Sequence, residues 1–507
     1  MARGAIGGMS ISTAPAARAG AGAEAAEPAA AGTAADRRWR DVVAHRGPVL
    51  RVLGGPGTGK SVLAARIVVE RVATGELRAE QCLILGPTRR AAARLREQVT
   101  GRVGATTTGP LARTFASLAF GLLRSAAIRE DAPTPYLLSG PEQDAVLREL
   151  LAGHRDEPGS GPLWPAGLAQ ALGTDGFRAE LRELLMRAVE HGLDAHGLRE
   201  IGVQADRPEW VAAADVLAEY DEVTALSRPG AFDPAWLLTA AVDLLESDPL
   251  ARDELARELR LVIVDDAQEV TAGGARMLEL LAASGIEVVL LGDPDSAVQT
   301  FRGADPGFLA TGWTSLGDGP TVVLDTGYRL PPALAEATGR AAGLIGALGG
   351  GAQRRVVPAG GAEADPGVLE VAVFRSAAQE AAHVADLLRR AHLLDGVPWQ
   401  QMAVIVRGQA RSQMVRRVLT AQRVPVTDGE NPPPLRDAPA TRPLLRLLGA
   451  ALDRVAHRAE ASLAELTQDP DAGWRLDPVL AVDLLTSVYG GADAVTLRRI
   501  RRALRRP

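Results

Sequence analysis

Val49-Leu50-Arg51-Val52-Leu53-Gly54-Gly55-Pro56-Gly57-Thr58-Gly59-Lys60-Ser61 is the stretch that decides the fold. Its first five residues, four of them apolar, read as a strand. The next eight satisfy the P-loop pattern in full, and a helix is expected from Lys60 onward. Glycines let backbone N–H groups surround phosphate oxygens, the helix N-terminus adds the positive end of its dipole, and a serine hydroxyl suits Mg²⁺. Gly55, Pro56, Gly57, Thr58, Gly59, Lys60 and Ser61 are therefore expected to hold the phosphates of a nucleoside triphosphate, with Lys60 as the cation and Ser61 on the metal. The bland alternative is a Gly-rich turn that happens to end in Lys-Ser.

Lys60 stands alone in the composition. Of 56 Lys and Arg side chains it is the one lysine, so arginine fills every other cationic role. A compact ammonium enters a phosphate cradle that a planar guanidinium does not fit. The length, 507 residues with 47% hydrophobic and 23% charged, predicts two to four domains. A net charge of -6 confines any nucleic-acid binding to local patches. Cys82 has no disulfide partner and reads as a buried strand residue; the seven histidines show no zinc spacing. No apolar run approaches the roughly 18 residues of a membrane span, and no secretory signal is evident, so no membrane partner and a cytoplasmic location are expected.

Outward from the P-loop, residues 1–35 are Ala-, Gly- and Pro-rich and read as a disordered tail. Strands are expected at 49–53, 82–85, 259–264, 286–291 and 322–324, alternating with helices as in βαβ units on a parallel sheet. Residues 122–236 show helical patterns, at 142–151 and 177–191 among others, and read as an insertion between the two parts of the sheet domain, 36–121 and 237–346. Residues 347–367 read as a linker. A second α/β pattern follows over 368–440, with strands near 369–374, 402–406 and 424–426; a Pro-rich turn lies at 432–434, and 441–507 is helical.

Val262-Ile263-Val264-Asp265-Asp266-Ala267-Gln268-Glu269 delivers two carboxylates at a strand end. In a P-loop protein one acid there reaches the Mg²⁺ shell and a second orients the attacking water; the same pair is also an ordinary cap or turn.

Together with Gly292-Asp293-Pro294-Asp295, Phe301-Arg302-Gly303-Ala304-Asp305 and Gly327-Tyr328-Arg329, this segment resembles motifs II to IV of the UvrD/Rep family of superfamily 1 DNA helicases in order and spacing. Thr88-Arg89-Arg90-Ala91-Ala92 resembles motif Ia, Thr114-Phe115-Ala116-Ser117 the element after it, and residues 402–407 the opening of the second motor domain. The resemblance covers about residues 38–440 and is nearest to the AdnA-type helicase-nuclease subunits. It implies an α/β, RecA-like P-loop sheet with a helical insertion and the beginning of a second RecA-like domain.

The resemblance also implies an ATP- and Mg²⁺-dependent enzyme acting on single-stranded or partly duplex DNA in repair. It places Lys60, Asp265, Asp266 and Arg329 in catalysis, Ser61 and Asp265 on Mg²⁺, and Gln268 and Tyr328 on the nucleotide, Tyr328 against adenine. Thr88, Arg90, Phe301 and Arg302 would contact DNA. Taken without the motifs, Tyr328 and Arg329 are ordinary exposed residues and Phe301 is core.

The chain departs from the family pattern at several positions. Arg37-Arg38-Trp39-Arg40 stands where the family has an adenine-contacting Gln, Asp266 replaces Glu, Ser296 a γ-phosphate-sensing Gln, and Gln299 an aromatic residue. Pro87 and Ala116 replace a Phe and a His. Motifs V and VI are not found, which predicts the N-terminal portion of a longer helicase; the competing reading is a non-translocating ATP-binding subunit paired with a second motor-nuclease subunit.

Overall fold

The computed structural model describes residues 34–103, 109–156, 161–359, 365–427, 440–460, 476–487 and 489–504. The tail expected over 1–35, up to residue 33, and the Pro-rich turn at 432–434 lie outside them. Two compact units separate, within residues 18–371 and within 372–507.

The first unit is built on six parallel strands: β1 (Val49–Gly54), β2 (Cys82–Leu85), β3 (Ala112–Arg113), β4 (Leu261–Asp265), β5 (Glu287–Gly292) and β6 (Thr321–Leu324). Their order across the sheet is β3-β2-β4-β5-β1-β6. Side chains alternate between two cores, as strand geometry requires. Leu83, Leu85, Val262, Val264, Val288 and Leu290 face one core, with helices Phe115–Arg129, Trp236–Ser247 and Ala272–Ala283. Cys82, Ile84, Leu261, Ile263, Val289 and Leu291 face the other, with helices Lys60–Ala73 and Arg89–Val103. Both faces are covered, which is why the strands are near-continuous apolar runs. Each fully buried aliphatic side chain here contributes about 1.5–3 kcal/mol.

The expected strands form within two residues of their predicted ends, and Cys82 is buried in β2 as read. The edge strand β3, two residues long, is too short to leave a pattern in the sequence. Helix Phe115–Arg129 runs unbroken across residue 121, because Leu118 and Ala119 pack on the sheet. Beyond it, helices Gly140–Asp156, Asp175–Glu190, Ala195–Gln204 and Pro208–Ser227 enclose a core of their own around Leu147, Leu185, Leu217 and Tyr220.

In the second unit, helices Ala377–Leu393 and Gln409–Ala421 pack together through Ala381, Ala385, Val415 and Leu419. The strands expected at 369–374, 402–406 and 424–426 are not formed among the described residues. Their alternation is real: Val404 and Val406 lie against the helices while Ile405 is 94% exposed. A strand also needs a hydrogen-bonded neighbour, and these stretches have no ladder partner there.

Residues 347–359, read as linker, are structured. Gly349–Arg354 is a 3₁₀ turn and Val357–Pro358 pairs in parallel with Thr326–Gly327.

Candidate active site

All six strands of the sheet run parallel, so the segments that leave their C-terminal ends converge on one edge. β1 feeds the P-loop, β2 leads to Thr88, β4 ends in Asp265, β5 is followed by Asp293, and β6 leads to Tyr328 and Arg329.

The P-loop holds its shape through backbone contacts that glycine permits. Gly59 (φ 86°) lies against Trp39, where a Cβ would come within 2.7 Å of the indole, and Gly57 (φ 79°) lies against Arg329, where a Cβ would stand 3.0 Å from the Arg329 Cβ. The Tyr328 N–H donates to the Gly57 carbonyl at 2.9 Å, and the buried Thr58 hydroxyl to the Gly55 carbonyl at 2.9 Å. Lys60 Nζ donates to the carbonyls of Gly54 (2.6 Å) and Gly55 (3.0 Å). Burial lowers its pKa, opposed by the carboxylates of Asp293, Asp266 and Asp265.

Below the lysine, Ser61 Oγ donates to Asp265 Oδ2 at 2.7 Å. Asp265 is 4% exposed, and its Oδ1 is buried without a hydrogen-bond partner. A hydroxyl beside a carboxylate with an unshared oxygen is a donor set that fits Mg²⁺, a hard ion that takes one or two carboxylates and completes its shell with phosphate and water. Burial, reinforced by the Asp266 charge, pushes the Asp265 carboxyl up to about 6. A carboxyl raised in the folded chain favours folding below its unfolded value of about 4, and that contribution is lost as pH rises through about 6. Mg²⁺ held there would compete with this proton. The Mg²⁺-dependent part of nucleotide affinity is therefore expected to fall about tenfold per pH unit below 6 and to be flat above 7, in titrations with and without EDTA.

Asp266 adopts a left-handed backbone (φ 57°, ψ 50°), a region Asp tolerates better than most residues. Gln268, expected on the nucleotide, is 3% exposed: its Oε1 accepts from the Asp293 N–H at 3.0 Å and its Nε2 donates to Asp266 Oδ1 at 3.2 Å. Its amide thus braces two acids of the site. Asp293, for which the sequence suggested no role, is buried and faces Lys60 electrostatically. It accepts from Ser296 Oγ at 2.6 Å, so the Ser296 hydroxyl is turned toward its own loop. Burial raises the Asp293 carboxyl above its ordinary range.

Trp39 occupies the region where the family's Gln is missing. It is buried and meets Tyr328 edge to face, ring centroids 6.3 Å apart at 87°. The neighbouring Arg38 pairs with Asp325. Aromatic packing closes this side of the P-loop; the signal in the sequence was one tryptophan within a basic run.

The DNA-contact candidates lie on two separate segments, a helix start and a loop. Thr88 caps helix Arg89–Val103, accepting from the Ala91 N–H at 3.1 Å, and Arg90 is exposed in its first turn. Phe301 is 63% exposed, so it is not core, and the Arg302 guanidinium lies 5.5 Å from its ring centroid. That loop is fixed from below: Glu269 accepts from the N–H groups of Val298 (2.7 Å) and Gln299 (3.0 Å), and Arg187 of the insertion donates to the Phe301 carbonyl at 3.1 Å.

The UvrD/REP helicase N-terminal domain matches residues 35–312. The chain belongs to the UvrD/REP helicase family. It is 28% identical over 405 residues to the ATP-dependent DNA helicase UvrD2 of Mycobacterium tuberculosis, covering 76% of this chain and 53% of that protein. It is 25% identical over 299 residues to DNA helicase II of Escherichia coli, covering 58% and 38%. The chain thus spans about half the length of the UvrD2 relative or less of the others. Membership accounts for the parallel six-stranded sheet with helices on both faces. Among the described residues, no helix is long and apolar enough to cross a membrane.

Proposed function

We propose that the chain is the ATP-binding motor part of a UvrD-type DNA helicase or translocase of DNA repair, hydrolysing ATP with Mg²⁺ and contacting single-stranded DNA. The observation that carries this reading is the corner formed by Ser61 and Asp265, with the unpartnered Asp265 Oδ1, beneath a lysine held among three carboxylates. Mg²⁺, when bound with ATP, would neutralise charge developing on the phosphates.

In this reading Lys60 leaves the Gly54 and Gly55 carbonyls for the β- and γ-phosphates. Arg329, exposed beside Gly57, faces the γ-phosphate, and Tyr328 packs on the base. Phe301 stacks on a DNA base, with Arg302, Thr88 and Arg90 on phosphates. Residues 368–440 belong to the second motor domain. DNA as the substrate implies a cytoplasmic site of action. Oligo-dT should raise ATP turnover of the purified chain about tenfold or more, as expected where DNA contacts complete the catalytic site; turnover unchanged by DNA would sink the motor reading.

A second reading, a non-translocating, weakly hydrolysing ATP-binding subunit of a helicase-nuclease complex beside a second motor-nuclease subunit, draws on Asp266 and Ser296. The Ser296 hydroxyl is committed to Asp293, and the Asp266 carboxylate is one methylene shorter than Glu. Asp266→Glu is expected to raise kcat about tenfold by restoring reach to the attacking water. It should also lower Tm slightly, since Glu is less at ease than Asp at φ 57°. Steady-state phosphate release and a thermal melt measure both; lower turnover would mean that the shorter acid is already in place.

A further inference from the structure

Residues 353–358 fall within the segment whose composition reads as linker, yet they touch three parts of the candidate site at once. Arg354 donates from Nε and Nη2 to the two carboxylate oxygens of Asp295, at 2.8 and 2.5 Å, and Gln353, 1% exposed, adds a third bond to Asp295 at 2.8 Å. The same guanidinium donates to the Gly346 carbonyl at 3.0 Å, just past helix Pro332–Gly343. Asp295 donates its N–H to Asp293 at 3.1 Å, and Asp293 is the buried acid that faces Lys60.

Val356 makes the second connection. A Cβ placed on Gly55 of the P-loop, or on Gly327 just before Tyr328, would meet a Val356 methyl at 2.8 Å. The third is backbone: Val357 N–H donates to the Asp325 carbonyl at 2.7 Å and Ala359 N–H to the Gly327 carbonyl at 2.8 Å, pairing the segment with the strand that leads into Tyr328 and Arg329. A bidentate pair with both side chains largely shielded, at 19% and 11% exposure, is rigid and costly to break on one side.

We infer that residues 353–358 form a positioning strut, with Arg354 as its key residue, that couples the P-loop, the 293–296 turn and the Thr326–Gly327 strand that leads into Tyr328 and Arg329, so that nucleotide binding tightens the segment through which the chain continues toward the second unit. The inference rests on the proposed ATP reading. A shift of Gly55 or Asp293 on binding reaches the strut directly, since Gly55 lies against Val356 and Asp295, bonded to Asp293, is held by Gln353 and Arg354. Arg354 touches no reacting atom; it acts through Asp295.

Hydrogen exchange of the full chain, with and without Mg²⁺ and a slowly hydrolysed ATP analogue, tests this. In the wild type the analogue should slow exchange about tenfold both in the P-loop peptide and in the peptide covering 349–359, as segments that open together do. In Arg354→Met, and independently in Asp295→Asn, P-loop protection should persist while the 349–359 response is lost. A buttress without coupling would leave that response intact in both variants and overturn the inference. So would a wild type in which the P-loop is protected and 349–359 is not. Absence of protection in the P-loop itself would instead strike the ATP reading and take the strut with it.

Discussion

Lys60→Ala is expected to reduce ATP turnover by about 10³-fold, the scale on which a group stabilising transition-state charge in a shielded site acts. The loss should be nearly as large in Lys60→Arg. The ammonium reaches two carbonyls of its own loop, and a planar fork cannot reproduce that geometry in a cradle closed by Thr58 and the Gly54 backbone. The composition makes the arginine variant informative, because arginine has replaced lysine everywhere else in the chain. Phosphate release at saturating ATP measures the effect. Retention of more than about half the wild-type rate by Lys60→Arg would contradict the role, since a bidentate guanidinium is not a substitute for a point charge on phosphate.

Asp265→Asn is expected to move function and stability in opposite directions. The Mg²⁺-dependent gain in nucleotide affinity should fall about 100-fold, the upper range for losing a ligand-shell group. Without nucleotide the variant should melt at the same temperature or higher. At pH 7.5 the native carboxylate is ionised against burial and the Asp266 charge, a cost on the order of 1–3 kcal/mol that a neutral amide does not carry. Its unpartnered Oδ1 marks the same cost geometrically. Fluorescent-nucleotide titration with Mg²⁺ or EDTA, beside a thermal melt, reads both signs; a variant that kept its Mg²⁺ response would remove Asp265 from the metal shell.

Both residues were legible in the sequence because their signals are local. The P-loop is a contiguous pattern, and Asp265 ends a strand whose five residues are all buried, so an apolar run followed by acids suffices to find it. The strut was illegible because its contacts are distant: Gln353 and Arg354 reach Asp295 across 58 and 59 positions, from a stretch of Gly and Ala whose composition argues for a linker. Gln268 shows a related limit. Its amide suits a nucleotide edge as well as it suits the Asp293 N–H, and only the fold shows which one it faces. Residues 402–406 display the right alternation for a strand, but alternation reports a buried face and not a hydrogen-bonded neighbour. Trp39 fell between these cases, visible as a tryptophan but not as the wall behind Gly59 and Tyr328.

The most direct test of the ATP site is a crystal structure of the chain with Mn²⁺ and a non-hydrolysable ATP analogue, using anomalous scattering to locate the metal. The account predicts Mn²⁺ between Ser61 Oγ and Asp265, with Lys60 Nζ moved from the Gly54 and Gly55 carbonyls onto phosphate oxygens. Nucleotide bound elsewhere, or a Ser61–Asp265 hydrogen bond left intact with Lys60 still on its carbonyls, would contradict it.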